Sequence, residues 1–228
     1  MSANTEMLIK VATGLAHLTD EVVFIGGAVA ELYANDPAAT EIRPTKDVDC
    51  VVEISTRKEY NDLEEALRSL GFTNDRSQNA LICRWMFDDI IVDIMPTNEK
   101  ILGFSNRWYE AGISKKVSYK LSEECTIFTF TPVYYLASKF EAMNSRGGHD
   151  LRISHDFEDI IYVMDNCTNL FEVLNAEEDC TVKTYLAEVC KKLLNNSNIN
   201  ECIISALPYG MDERAEIIKE LLISISRF

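Results

Sequence analysis

Asp47 and Asp49 stand two residues apart in residues 44–52, PTKDVDCVV, at the head of an apolar, β-branched run. Side chains alternate along a strand, so both carboxylates leave the backbone on one face while Val48 points into the core. Two anions held that close repel each other unless a cation sits between them, and a hard divalent ion with oxygen ligands answers that need. A third acid, Asp93, lies among apolar neighbours in a second strand-like run, IIVDIMP, over residues 90–96. Upstream, VVFIGG over residues 22–27 ends in Gly26 and Gly27, a strand-to-helix turn whose backbone N–H groups can meet an anion. Alone, a DxD pair usually decorates a solvated strand edge and a diglycine usually makes a tight turn. Together they bring three carboxylates and a phosphate-sized turn into one constellation, which suits metal-assisted phosphoryl or nucleotidyl transfer. An all-oxygen ligand set points to magnesium (or manganese) and away from zinc or copper.

The frame that must position these groups has 228 residues, 47% of them apolar, enough for one large domain or two small ones. No apolar stretch is long enough to span a bilayer, and residues 1–20 lack the basic segment and cleavage site of a secretory signal. A cytoplasmic protein with no membrane partner is therefore expected. Seven cysteines are scattered without CxxC pairing, mostly among apolar neighbours, which suits buried thiols better than zinc ligands or disulfides. The formal net charge of −15 opposes nucleic-acid binding, which draws its affinity from clustered Lys and Arg. Local basic groups do exist. Arg43 and Lys46 flank the DxD, Lys139, Arg146 and Arg152 recur further on, and Lys115, Lys116 and Lys120 read as ordinary solvated lysines.

Apolar residues at helical spacing (Met7, Leu8, Val11, Leu15, Leu18) open the chain as a helix over residues 4–18. A buried strand follows over 21–25, and helical character resumes over 28–34. Residues 35–45 read as a loop, broken by Asp36-Pro37 and Arg43-Pro44, that delivers the chain to the Asp47 strand. Residues 57–70 read as a helix stopped by Gly71, and strands over 81–87 and 90–95 meet across Asp88-Asp89 as a hairpin. Further strands are expected over 116–121 and 126–130. From residue 131 the pattern turns helical, with an interruption at 144–149, NSRGGH, and helices near 155–164, 181–194, 199–207 and 212–226. The expected fold class is α+β, a mixed sheet with flanking helices over residues 1–130 followed by an all-helical domain over 131–228.

Gly26-Gly27, the later Asp47-Val48-Asp49 and Asp93 on a following strand resemble the signature of the polymerase-β-like nucleotidyltransferase superfamily. The long gap between the glycines and the DxD, with Arg43 and Thr45 just ahead of it, resembles the AbiEii-like nucleotidyltransferases. These are the toxin class of bacterial abortive-infection and toxin–antitoxin systems that includes MenT-type enzymes. Lys139, Arg146, Arg152 and the run His155-Asp156-Phe157-Glu158-Asp159-Ile160 match that group's lysine, basic stretch and helical D-x-x-D. The resemblance covers residues 22–165 and implies a nucleotidyltransferase-type mixed sheet.

It implies further that Asp47, Asp49 and Asp93 bind the metal and, with Lys139 and Asp156, are catalytic. Gly26, Gly27, Arg43, Thr45, Lys46, Lys139 and Arg152 would bind nucleotide, and Asp159 accompanies Asp156 at i+3. The implied cofactor is Mg2+ (or Mn2+), the donor an NTP, the acceptor RNA with the tRNA 3′ end foremost, and the partner a cognate antitoxin protein. Two departures stand out: Gly27 and Ala28 take the place of the usual serine after the first glycine, and His155 stands where arginine is common. The acidic composition keeps open transfer to a small molecule or a protein hydroxyl, and a catalytically weak relative that acts by binding.

Overall fold

A computed structural model describes residues 1–78, 80–146 and 150–228; Gly147, Gly148 and His149 of the expected NSRGGH interruption lie outside the described residues. The chain divides into two compact units, Met1–Val29 with Arg43–Thr131, and Ala30–Ile42 with Pro132–Phe228. The second unit thus includes a segment, Ala30–Ile42, that precedes the 130/131 boundary read from the sequence.

The first unit is built on one seven-stranded mixed sheet. Its strands are β1 (Val22–Ile25), β2 (Asp47–Val52), β3 (Thr73–Asn74), β4 (Arg84–Phe87), β5 (Ile90–Pro96), β6 (Val117–Lys120) and β7 (Thr126–Thr129), in the spatial order β3-β4-β5-β2-β1-β7-β6. β1 is buried along its whole length, as a central strand covered on both faces must be. β2 starts in alternation, Asp47 and Asp49 half-buried and Val48 and Cys50 buried, and ends fully buried. β2 runs antiparallel to β1 and parallel to β5, whereas β4 returns antiparallel to β5. β6 is an edge strand with all four residues exposed, and it carries Lys120, which pairs with Glu123.

Helix α1 (Ala3–Leu15) begins where the Ser2 hydroxyl accepts the Thr5 N–H, and it buries Leu8, Val11, Ala12 and Leu15. The rest of the expected first helix winds on as a tighter 3-10 turn, Ala16–Asp20. Helix α2 (Arg57–Ser69) opens with a reciprocal Thr56–Glu59 capping box, buries Tyr60, Leu63 and Leu67, and gives way to Gly71 at φ +91°. Two short helices, α3 (Glu99–Leu102) and α4 (Tyr109–Ser114), occupy a stretch with no clear periodicity; Gly112 of α4 lies against the Phe130 ring, where no Cβ would fit.

The second unit holds α5 (Pro132–Ser145), α6 (His155–Asn166), α7 (Leu170–Ala176), α8 (Cys180–Leu194), α9 (Ile199–Ala206) and α10 (Arg214–Ile225). Ser154 and Asp179 cap α6 and α8 through the Phe157 and Thr181 N–H groups. Ala30–Ile42 belongs here through polar contacts of long sequence range. Tyr162 donates to the Thr40 carbonyl (3.1 Å), Thr168 donates to Asn35 Oδ1 through its backbone N–H and hydroxyl, and Arg214 bridges Asp36 and Asp165. The helical character expected over residues 28–34 takes the form of a 3-10 segment, Gly27–Tyr33. No helix among the described residues is long and apolar enough to cross a membrane.

Asp88 and Asp89 both take positive φ, 45° and 63°, the geometry that a two-residue β4–β5 hairpin demands. Left-handed conformations cost a non-glycine residue about 1–2 kcal/mol, less for aspartate. Asp89→Gly is therefore expected to stabilise the protein by roughly 0.5–1 kcal/mol, read as a higher urea midpoint at an unchanged m-value.

Candidate active site

Pairing across three strand boundaries sets Ile25, Asp49, Asp93 and Arg84 in one row of the sheet: Ile25 opposes Asp49, Asp49 opposes Asp93, and Asp93 opposes Arg84. Residues in direct register present their Cβ atoms to the same face, and Asp47 joins that face from two positions before Asp49. Asp93 is only 4% exposed. Arg84 grips it with both prongs, Nε to Oδ1 at 2.9 Å and Nη2 to Oδ2 at 2.7 Å. Asp47 takes a hydrogen bond on Oδ1 from the Thr45 hydroxyl at 2.6 Å. Thr45 is in turn held by α1, its N–H donating to Asn4 Oδ1 (3.0 Å) while Asn4 Nδ2 donates to the Arg43 carbonyl (3.3 Å). Lys46 is exposed and Arg43 half-buried.

Gly26 sits beside this row at φ +78°, a conformation that side chains other than glycine's rarely take. A Cβ there would fall on the Asp49 carboxylate and lie 2.8 Å from the Asp49 Cβ. Glycine is needed for both reasons, and Gly27 then opens the 3-10 segment.

The local field is negative. Burial pushes the Cys50 thiol well above its ordinary range, with Asp49 and Asp93 adding to the shift. Cys83 is pushed up to about 12 by burial and then by Asp93. Arg84 is held more firmly charged than a free arginine, first by its hydrogen bonds to Asp93 and secondarily by Asp47 and Asp75. The aspartates' share of these shifts has the sign of a negative local field, over and above the effect of burial.

Whether these residues suit a hard divalent ion turns on which oxygens are available. Asp47 and Asp49 are of the right type, on one face and partly open to solvent. Asp93 has the right position, yet both its oxygens face Arg84. Among the described residues, no three His, Cys, Asp or Glu side chains gather as a metal-holding group. By type and face, Asp47 and Asp49 are the carboxylates that would hold an ion, and Asp93 could join them only if the guanidinium yields.

The residues Lys139, Asp156, Asp159, Arg146 and Arg152 all belong to the helical unit. There Lys139 is a buried side chain of α5 whose Nζ lies 2.6 Å from Asp159 Oδ2 and 3.3 Å from Asp156 Oδ1, both on α6. Arg146 closes the group on Asp156 Oδ2 at 2.7 Å. Two cations and two buried carboxylates leave the cluster neutral, and the D-x-x-D spacing puts both acids one turn apart on the face that meets Lys139. Arg152 is exposed and engaged by Asp150 and Glu201, and His155 pairs at the surface with Glu158 (3.4 Å).

No protein-family model matches the sequence, and no curated protein matches it. Among solved structures, the chain is similar to an antigenic nucleotidyltransferase-like protein from Paracoccidioides brasiliensis, with a TM-score of 0.54 and 19% identity over 90% of this chain and 94% of that one. The two chains share a fold. What the likeness covers is the mixed sheet with its flanking helices together with the helical C-terminal half.

Sequence reasoning singled out Asp93 but missed Arg84, which a two-residue turn at Asp88-Asp89 already places opposite it. It also missed Asn4, whose amide ties the loop ahead of Asp47 to the first helix. Gly26→Ala is expected to displace the Asp49 carboxylate and destabilise the protein by about 1–3 kcal/mol, seen as a lower thermal midpoint; Gly71→Ala, which meets only open space, should pay the backbone strain alone.

Lys139→Ala leaves Asp159, 1% exposed, without its close cation. A loss of about 3–5 kcal/mol in unfolding free energy is expected, and the double variant Lys139→Met/Asp159→Asn should recover most of it.

Proposed function

We propose that this chain is a metal-dependent nucleotidyltransferase that moves a nucleoside monophosphate from an NTP to an acceptor hydroxyl, with an RNA 3′ end, tRNA foremost, as the acceptor. The observation that carries the reading is the row Asp49–Asp93 with Asp47 on the same face and Gly26 packed against the Asp49 carboxylate, in a fold that is nucleotidyltransferase-like. The acceptor oxygen bonds to the α-phosphorus, the bridging oxygen departs with pyrophosphate, and the hydroxyl proton is released to solvent. A bound Mg2+ (or Mn2+) would supply Lewis-acid stabilisation of the phosphate charge and lower the pKa of the attacking hydroxyl.

The chain's own part is positioning. Asp47 and Asp49 would hold the cation, with the Thr45 hydroxyl fixing the orientation of Asp47. Gly26 and Gly27 allow backbone to approach the phosphates without side-chain obstruction. Lys46 stands exposed one residue before Asp47, in reach of an incoming anion.

Assignment to the AbiEii/MenT-like toxins rests on the Lys139, Arg146, Asp156 and Asp159 motif, whose members meet in one ion cluster. On this reading the cell would pair the chain with an antitoxin. The net charge of −15 favours a second acceptor class, a small molecule or a protein hydroxyl, over a polyanion.

One assay separates these. Purified protein, Mg2+ and each α-labelled NTP in turn are incubated with total RNA and, separately, with a protein extract and a metabolite pool. Label entering RNA is expected, and Asp49→Asn should lower it by at least about 10³-fold while far-UV circular dichroism stays unchanged. Label appearing only in protein or metabolites would move the acceptor to the second class; no transfer to any acceptor would remove the enzyme reading.

A further inference from the structure

Arg84 is the cation the sheet itself supplies to the acidic row. It opposes Asp93 directly, spans both carboxylate oxygens, and leaves no in-plane lone pair of the fork-facing edge for another ligand. The two partners are unequal in a way that matters. The Arg84 side chain is 25% exposed and the Asp93 side chain 6%, so the guanidinium can swing into water and be resolvated whereas the carboxylate cannot leave. Arg84 cancels one of the two charges that Asp49 and Asp93 bring to neighbouring places in the row.

We infer that Arg84 takes the place of a second divalent cation, so that the site holds one ion at Asp47 and Asp49 until Arg84 releases Asp93. The inference rests on the metal-site part of the proposed function and adds a regulatory residue to it. Arg84 is a positioning residue in this role, acting through Asp93. A second ion would have to break both hydrogen bonds of the guanidinium to Asp93, a cost that further anionic oxygens arriving with the ion would offset. The nucleotide's phosphates are such oxygens. Arg84 then couples loading of the second ion to arrival of the donor, which keeps the unliganded site from holding two cations.

Mn2+ binding to the full chain without nucleotide, counted from the loss of the free-ion electron paramagnetic resonance signal, tests this. One ion per chain is expected for the wild type, with that ion lost in Asp49→Asn. Arg84→Met, similar in length and uncharged, is expected to take up two. Arg84→Met/Asp93→Asn, which removes both partners and leaves no stranded anion, should return to one. Should Arg84→Met not fold, Arg84→Lys keeps a charge but not the two-pronged grip, and a second ion binding at least about tenfold more tightly than to the wild type is expected.

A purely structural Arg84 would lower stability without altering stoichiometry. The inference is overturned alone if the wild type binds one ion, Asp49→Asn abolishes it, and the Arg84 variants also bind one. It falls together with the metal-site reading if the wild type binds none or if Asp49→Asn binds as the wild type does.

Discussion

Everything at the acidic face depends on the direct opposition of Asp49 and Asp93 on parallel neighbouring strands. Like charges placed directly opposite each other on neighbouring strands are destabilising. The arrangement persists because the chain answers it from within. Parallel neighbours cannot be joined by a tight turn, so residues 53–89 must leave the end of β2 and come back to the start of β5. That connection carries α2, β3 and β4, and β4 brings Arg84 opposite Asp93. The same topological requirement that creates the repulsion delivers the counter-charge.

The helical unit solves a similar problem differently. Lys139, Asp156 and Asp159 are all buried, and only Arg146, whose side chain is 71% exposed, reaches solvent. A neutral buried cluster of this kind contributes little net stability over an apolar equivalent, but removing one member is costly. It acts as a pin between α5 and α6. Arg84, by contrast, has a solvent route out of its pair. The difference lies in the cation at the centre of each cluster: Lys139, which touches both aspartates of the helical unit, is buried, whereas the Arg84 side chain is a quarter exposed.

Much of the fold was legible because its signals are local. The Gly71 stop after α2, the hairpin at Asp88-Asp89 and the alternation around Asp47 each depend on residues a few positions apart, and each strand expected from them is present. The parallel pairing of β2 with β5 was not legible, since nothing local distinguishes two strands that pair from two that do not. Short helices such as α3, α4 and α7 span too few turns to show a period. Gly27–Tyr33 tightened to 3-10 winding, a choice between close backbone alternatives that composition does not decide. The site divides in the same way. Asp47, Asp49 and Gly26 declare themselves by spacing, and Arg84 follows from the hairpin once the turn length is set. The burial of Lys139 depends on two aspartates from a different helix, so a lysine among apolar residues of α5 reads equally well as a surface group.

The chain's overall acidity has a further consequence for any phosphate chemistry at this face. A net charge of −15 repels a polyanion at long range and attracts divalent cations. A nucleotide therefore approaches this surface more favourably as its metal complex than bare. On the proposed reading, Arg43 and Lys46 ahead of the DxD would need only to orient a ligand whose charge is already largely compensated. On the proposed reading, an RNA acceptor meets no such compensation and must be held by few contacts, which suits a single-stranded end more than a duplex. On that same reading, acidity outside the site and a cation inside it would act together, admitting a metal-bound substrate and holding back uncompensated phosphate.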